Sequence, residues 1–236
     1  MCAGRCAISA VSHSISWACR RASWCGSTAE PMTPQRHLVV FLRAPRLGRG
    51  KSRLAAGIGA LAALRFYRLA TAQLLRRLAR DRRWRCYVWI TPDRAVRRPP
   101  WRAAARWRGQ GQGDLGRRMA RVFRLLPPGA AVIIGSDIPA IRPAHIAAAF
   151  RALGSHEAVF GPATDGGYWL VGLRRRPRVP RRLFERVRWS SEHALADTRA
   201  GLPRAMSVAL LETLEDVDDA GAYARWRESV SRARRG

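Results

Sequence analysis

The sequence predicts an α/β domain of three layers, with helices on both faces of a mostly parallel central sheet. Three observations predict it. Short apolar runs such as HLVVFLR (37–43), CYVWIT (86–91) and AAVIIG (130–135) have the length and β-branched content of strands covered on both faces. Between them lie segments whose apolar residues recur at helical spacing. Strand and helix alternate along the chain, the pattern of parallel strands joined by crossover helices. At 236 residues and 47% apolar content the chain can bury one full core of this kind.

Each element follows in order. HLVVFLR ends in a Pro/Gly-punctuated loop, RAPRLGRGKSRL (43–54). LAAGIGALAAL (54–64) is about half the ~20 residues a bilayer requires, and its Gly and Ala content reads as loop and helix start. Leu64, Tyr67, Thr71, Leu74, Leu75 and Leu78 then mark one face of a helix. CYVWIT is the second strand, and the Pro-, Arg- and Gly-rich stretch 92–113 reads as a loop excursion. Asp114 opens a helix, DLGRRMARVFRLL, with Leu115, Met119, Val122 and Leu126 on a face and the acid where the helix dipole favours it. AAVIIG is the central strand. It runs into SDIPAI and a helix that Pro143 can begin. AVFGPA (158–163) and GYWLVGL (167–173) form a hairpin-like pair around TDGG. A helix near 191–199, a strand near 206–211 and a terminal helix after LEDVDD complete the pattern.

The boundaries follow from composition. Residues 1–31 carry scattered charge, four of the five cysteines (Cys2, Cys6, Cys19, Cys25) in no zinc-binding spacing, and no compact apolar core of a signal peptide. They read as a disordered or misassigned extension ahead of Met32, followed by one domain over 32–230 and a basic tail at 231–236. Cys86, inside an apolar run, reads as a buried thiol. With neither a leader nor a spanning segment in view, the expected location is cytoplasmic. Oligomeric state has no signature.

The formal charge is +28, from 44 Lys+Arg against 16 Asp+Glu. Such a charge admits a non-catalytic polyanion-binding protein. However, the chain has one lysine and no asparagine, the signature of a GC-rich genome, and its arginines are dispersed rather than arrayed as a base-reading helix. No specific nucleic-acid partner is expected.

That single lysine, Lys51, lies in the loop after the first strand. A Walker P-loop would place glycine at position 45, which is Pro45, so that motif fails. Gly48, Gly50, Lys51, Ser52 and Arg53 ahead of a helix still form a phosphate cradle of backbone amides and cations. Lysine is a compact point charge where arginine is a planar fork, so a lysine kept against this composition implies a close anion. Asp137 follows the central strand, at the sheet edge where ligands gather in such folds. A carboxylate there suits Mg²⁺ or Mn²⁺ held against a diphosphate, or the cap of the next helix. Asp165, Gly166, Gly167 and Tyr168 form a tight turn that lets a ligand approach the backbone, or simply close a hairpin. Gln110, Gly113 and Asp114 precede a helix N-terminus. Ser190 or Ser191 can cap a helix with His193 in its first turn. Asp216, Asp218 and Asp219 can supply a second metal ligand or cap the last helix.

PxxGxxKSRL (45–54), QGxGDLGxRM (110–119), IGSDIPAI (134–141), GPATDGGYWLVGL (161–173), WSS (189–191) and DVDD (216–219) occur in that order. Together they resemble a bacterial family of GT-A-like transferases of unknown function, of the nucleotide-diphospho-sugar transferase or arsenosugar-biosynthesis glycosyltransferase type, over roughly residues 37–226. The set is also distantly similar to guanylyltransferases and molybdenum-cofactor nucleotidyltransferases. The resemblance implies a GT-A fold and transfer of a sugar from a nucleotide-sugar donor to a small-molecule acceptor. It implies a nucleotide pocket lined by Arg43, Pro45, Gly48, Lys51, Ser52, Arg53, Gln110, Gly113 and Asp114. Asp137 stands in the place of the metal-binding and catalytic carboxylate, and Asp165 in that of an acceptor-side or second acidic, catalytic residue. Gly166, Gly167, Tyr168, Ser190 and His193 fall on the acceptor side. The chain departs from the family at Arg43, where lysine is usual, and in lacking a full Asp-x-Asp. The alternative activity is nucleotidyl transfer from an NTP to a phosphorylated acceptor.

Overall fold

Alternate residues of each strand enter opposite cores. Leu38, Val40, Val88, Ile90, Val132, Ile134, Val159 and Leu170 face one. Val39, Tyr87, Trp89, Ile133, Phe160 and Val171 face the other. This is the period-two alternation of a sheet covered on both faces. The computed structural model that shows this describes residues 35–175, 179–180 and 182–233. The expected extension at 1–31, the domain start at Met32 and the end of the basic tail lie outside the described residues.

The strands are β1 (Arg36–Arg43), β2 (Arg85–Thr91), β3 (Arg106–Gly109), β4 (Ala130–Ile134), β5 (Ala158–Pro162), β6 (Tyr168–Leu173) and β7 (Val208–Leu210). They form a sheet of order β3-β2-β1-β4-β6-β5-β7. β6 runs antiparallel to both neighbours, and every other pairing is parallel. The sheet is mixed but mostly parallel, as expected. The helices are α1 (Ser52–Ile58), α2 (Ala60–Leu78), α3 (Leu115–Leu125), α4 (Pro143–Ser155), α5 (Ala194–Ala200) and α6 (Ala220–Ala233). Leu74, Leu75 and Leu78 of α2 and Ile146, Phe150 and Leu153 of α4 cover one face. Met119, Val122 and Phe123 of α3 cover the other. A smaller core joins Leu54, Phe66 and Val217, with Tyr223 and Trp226 of α6 against it.

Four local expectations are corrected. The stretch 54–64 is helical on both sides of Gly59, whose φ of 86° breaks α1 from α2. The excursion 92–113 holds a short 3₁₀ turn, Asp93–Val96, and the edge strand β3. Leu115 is exposed while Gly116 is buried, because Gly116 lies against Phe184 and Trp189. The helix placed near 191–199 begins later, with His193 as its N-cap residue and no side-chain cap bond.

Strand order positions the site. β2 and β3 lie to one side of β1, and β4 lies to the other. The chain therefore reverses its winding between β1 and β4, and such a switch point opens a crevice beyond the carboxyl ends of the two strands. The loop carrying Lys51 leaves β1 there, and Ser136-Asp137 leaves β4 there.

Candidate active site

Lys51 meets its anion inside the protein. Its Nζ donates to Asp218 Oδ1 at 2.5 Å and to the Val217 carbonyl at 2.8 Å, and lies 3.0 Å from Asp137 Oδ1. The side chain is 10% exposed, against 50% for Asp137 and 34% for Asp218. Burial alone would lower the ammonium's pKa. The charges of Asp137 and Asp218 outweigh it and hold the pKa above the ordinary lysine value. Burial likewise opposes ionisation of Asp218, but Lys51 and Arg53 hold its carboxyl below the usual range.

Three segments distant in sequence build this contact. Lys51 is the N-cap of α1 in a left-handed conformation (φ 53°, ψ 40°), which turns its side chain under the loop. Asp137 follows β4. Past β7 the chain continues beside β5, with Leu211 N bonded to Phe160 O at 2.8 Å and Leu214 N to Pro162 O at 3.1 Å. It then crosses to β4, where Val217 N donates to Asp137 O at 3.1 Å. The Val217 side chain is buried in the α1/α2 core and its carbonyl receives Lys51. Asp219 caps α6 by accepting from Ala222 N at 2.8 Å, so Asp218 is fixed from both sides.

Above this floor lies an open cleft of about 1050 Å³. Its cations are Lys51, Arg43, Arg46, Arg49, Arg53 and Arg118, and its carboxylates are Asp137 and Asp218, a surplus of four positive charges. Arg53 is bound to Asp218 Oδ2 at 3.1 Å. Arg118 is bound to the Gly113 carbonyl at 2.6 Å and to Gln110 Oε1 at 3.3 Å. Tyr67 closes the back of the cleft. Its hydroxyl donates to the Arg43 carbonyl at 2.7 Å and accepts from the Arg43 N–H at 3.1 Å. Burial raises its pKa, against a hydrogen bond with Ser136.

Of the residues singled out in the sequence, Arg43, Gly48, Gly50, Lys51, Ser52, Arg53, Gln110, Asp137, Ser190 and Asp218 line the cleft. Pro45, Gly113, Asp114, Asp165, Gly166, Gly167, Tyr168 and His193 do not. Gln110 is 3% exposed and its amide bridges two strand ends, donating to Leu42 O and Trp89 O, both at 2.9 Å. Asp114 is the N-cap of α3, accepting from Arg117 N at 2.7 Å. Asp165 accepts from Gly167 N at 2.9 Å within its own turn. At Gly166 (φ 81°) a Cβ would overlap the Glu192 backbone, so the turn is packed on the segment before α5. Tyr168 stacks edge-on against Phe160, and Thr198 donates to its hydroxyl at 3.3 Å. The His193 ring lies 3.7 Å from Glu192.

Nothing in the sequence singles out Arg46, Arg49 or Arg118 as cleft residues, the helical spacing marks Tyr67 only as part of an apolar face, and Asp218 is indistinguishable there from Asp216 and Asp219 as a metal ligand or a cap. Arg118 has only an indirect signal: it falls inside QGQGDLGRRM, one turn into the helix, on the side of the preceding loop. Asp216 lies beside this floor, its carboxyl pushed up to about 6 by burial and by the charges of Asp218 and Asp165.

Among the described residues no three His, Cys, Asp or Glu side chains gather as a metal cage. Asp137 and Asp218 nevertheless share one cation, the Lys51 ammonium, which shows that a positive charge fits between them. Two oxygen donors with the rest supplied by phosphate and water is the usual arrangement for Mg²⁺.

Among the described residues, no helix is long and apolar enough to cross a membrane. No curated protein matches the chain significantly in sequence. Among solved structures, a protein of Desulfovibrio desulfuricans G20 described as a "putative nucleotide-diphospho-sugar transferase" superposes with a TM-score of 0.71 at 24% identity, over 86% of this chain and 98% of that one. A 4-diphosphocytidyl-2C-methyl-D-erythritol synthase of Anaerococcus prevotii DSM 20548 superposes with a TM-score of 0.55 at 8% identity, over 84% and 99%. A CMP:2-keto-3-deoxy-manno-octonic acid synthetase complexed with CTP does so with a TM-score of 0.52 at 12% identity, over 84% and 99%. These likenesses establish the three-layer GT-A-like fold. A family model described as "Uncharacterized protein conserved in bacteria (DUF2064)" matches residues 74–191, half of the chain, and takes in the segments around Gln110, Asp137 and Asp165; the chain belongs to this family.

Proposed function

We propose that the protein is a transferase that moves a sugar from a nucleotide-diphosphate donor to a small-molecule acceptor. The observation that carries this reading is the convergence of Lys51, Asp137 and Asp218 on the floor of an arginine-rimmed cleft at the sheet's switch point. A diphosphate needs many cationic and amide donors, and the loop from Arg43 to Arg53 supplies them. Arg46, Arg49 and Arg53 bind and orient the phosphates, while Arg118 braces the loop over the nucleotide. Asp137 and Asp218 would hold a divalent cation, Mg²⁺ or Mn²⁺. When bound, that ion supplies charge neutralisation for the departing diphosphate. Positioning and electrostatic stabilisation carry the rate in such transfers, because the leaving group is already a good one. The resemblance of the ordered motifs, and the Desulfovibrio structure, favour sugar transfer.

A second reading is nucleotidyl transfer from an NTP with release of pyrophosphate. The surplus of four positive charges in the cleft favours it, since a triphosphate carries more charge than a diphosphate ester. So does the likeness to two cytidylyl enzymes. Calorimetric titration of the full chain with nucleotide sugars and NTPs, each with Mn²⁺, followed by product analysis, separates the two. Sugar transfer releases a nucleoside diphosphate, and nucleotidyl transfer releases pyrophosphate. Asp137→Asn should lower turnover by roughly 10²–10³, the scale of losing one electrostatic stabiliser of the leaving group. Binding of neither donor class would overturn both readings.

A further inference from the structure

The ammonium of Lys51 has three protons and three acceptors: the Val217 carbonyl at 2.8 Å, Asp218 Oδ1 at 2.5 Å and Asp137 Oδ1 at 3.0 Å. With these in place it has no donor to offer a phosphate, although it lies on the floor of the cleft. The same three contacts fill the space between Asp137 and Asp218, the two carboxylates able to take a divalent cation together. One positive charge thus already occupies the place a second would need, and two cations cannot share it at this distance.

The loop before Lys51 is rich in positive-φ backbone. Gly48 (φ 70°), Gly50 (φ 82°) and Lys51 itself all stand in the left-handed region. Two glycines give the segment before the lysine backbone freedom, and the conformation of Lys51 itself costs a non-glycine residue roughly 1–2 kcal/mol. Asp137 and Asp218 are fixed by contrast, through Val217 N–H on the Asp137 carbonyl and through the α6 cap beside Asp218.

We propose that Lys51 is an exchangeable internal counter-ion: its ammonium holds Asp137 and Asp218 closed to metal until a substrate phosphate draws it up into the cleft, so that the carboxylate pair takes a divalent cation only together with a phosphate ligand. This rests on the transferase reading above and adds an order to it. Phosphate and metal bind cooperatively because the first removes the competitor of the second, and by linkage each raises the affinity of the other. A lysine suits this task better than an arginine, because a compact ammonium can pass from single oxygens of two carboxylates to a phosphate oxygen, whereas the planar guanidinium fork is matched to paired oxygens. Arg53 holds the second oxygen of Asp218 at 3.1 Å and keeps that carboxylate in place when the lysine leaves.

The test is Mn²⁺ binding to the full chain, read by the electron paramagnetic resonance of free Mn²⁺, without any turnover. Wild type should bind Mn²⁺ weakly alone. Lys51→Met should bind it at least roughly tenfold more tightly, the least expected from removing one competing charge near a protein surface. Lys51→Met combined with Asp218→Asn should lose that gain. Circular dichroism checks that each variant folds. A measurement on the wild type keeps the proposal exposed if Lys51→Met does not: with [¹⁵N]lysine the chain gives one ε-ammonium resonance, since it has one lysine. Pyrophosphate added without metal should shift that resonance. If Lys51→Met binds Mn²⁺ no better than wild type, or the resonance ignores pyrophosphate, the exchange is wrong while the transferase reading stands. If no form of the chain binds Mn²⁺ or pyrophosphate at all, both fall.

Discussion

Replacing Gln110 by leucine should loosen the mouth of the cleft without altering the net charge. The Gln110 amide donates to Leu42 O at the end of β1 and to Trp89 O near the end of β2, both at 2.9 Å, from a side chain only 3% exposed. Leucine is close in volume and apolar, so the variant removes both donated bonds, leaves two carbonyls short of a donor, and takes the Oε1 acceptor away from Arg118. Each neutral bond contributes about 1 kcal/mol net, and a stranded buried carbonyl costs about 1–3 kcal/mol. Leucine's own burial offsets part of this. The expected loss is about 2–4 kcal/mol, or about 4–16 °C in Tm at the ~2–4 °C per kcal/mol of a domain this size. Urea unfolding followed at 222 nm reads the first figure, and a thermal scan reads the second. Gln110→Glu should also lose stability, since it sets a carboxylate against the two carbonyls, with Arg118 beside its other oxygen offsetting part of the burial of charge. A Gln110→Leu variant within about 0.5 kcal/mol of wild type, the spread of an ordinary surface substitution, would refute the assignment of this side chain as the tie between the strand ends.

Two further outcomes are expected. His37 is fully buried with Nε2 against Pro128 O at 3.1 Å, and its pKa is lowered, first by burial and then by Arg175 and Arg85. A depressed histidine contributes stability above its unfolded value of about 6.5 that is lost as pH falls below it. The urea midpoint of His37→Phe should therefore fall less between pH 6.5 and 5 than that of wild type; parallel slopes would contradict this. Cys86 is buried and its thiol is pushed up to about 12, so at pH 8 peptide mapping should find it unmodified by maleimide in the folded protein and modified in denaturant.

The alternation of strand and helix was legible because the central strands are continuous apolar runs, and such runs need two covered faces. β3 was not. Its four residues, RWRG, alternate exposed arginine with half-buried neighbours inside a Pro- and Gly-rich stretch, and only its pairing with β2 makes it a strand. The break between α1 and α2 was hidden for a related reason: Gly57 and Gly59 look alike in sequence, and only Gly59 takes a positive φ. Lys51 and Asp137 could be singled out by rarity and by position after a strand. Asp218 could not be separated from Asp216 and Asp219, since its distinction is the path of the chain after β7, which lays Val217 against Asp137. The turn Asp165–Tyr168 shows the opposite outcome. Its glycines suggest an approach for a ligand, and in the fold that space is taken by the Glu192 backbone.

The exposed border of the sheet gives the arginine excess a use that bulk composition conceals. A parallel edge offers unpaired amides and carbonyls to any second sheet that comes alongside. Here the border strand presents the guanidinium groups of Arg106 and Arg108 to solvent. Another copy approaching in the same way would bring the same groups face to face, and mutual repulsion would keep the two sheets from fusing. Exchanging those two arginines for valine or threonine would remove this guard and invite association along that border.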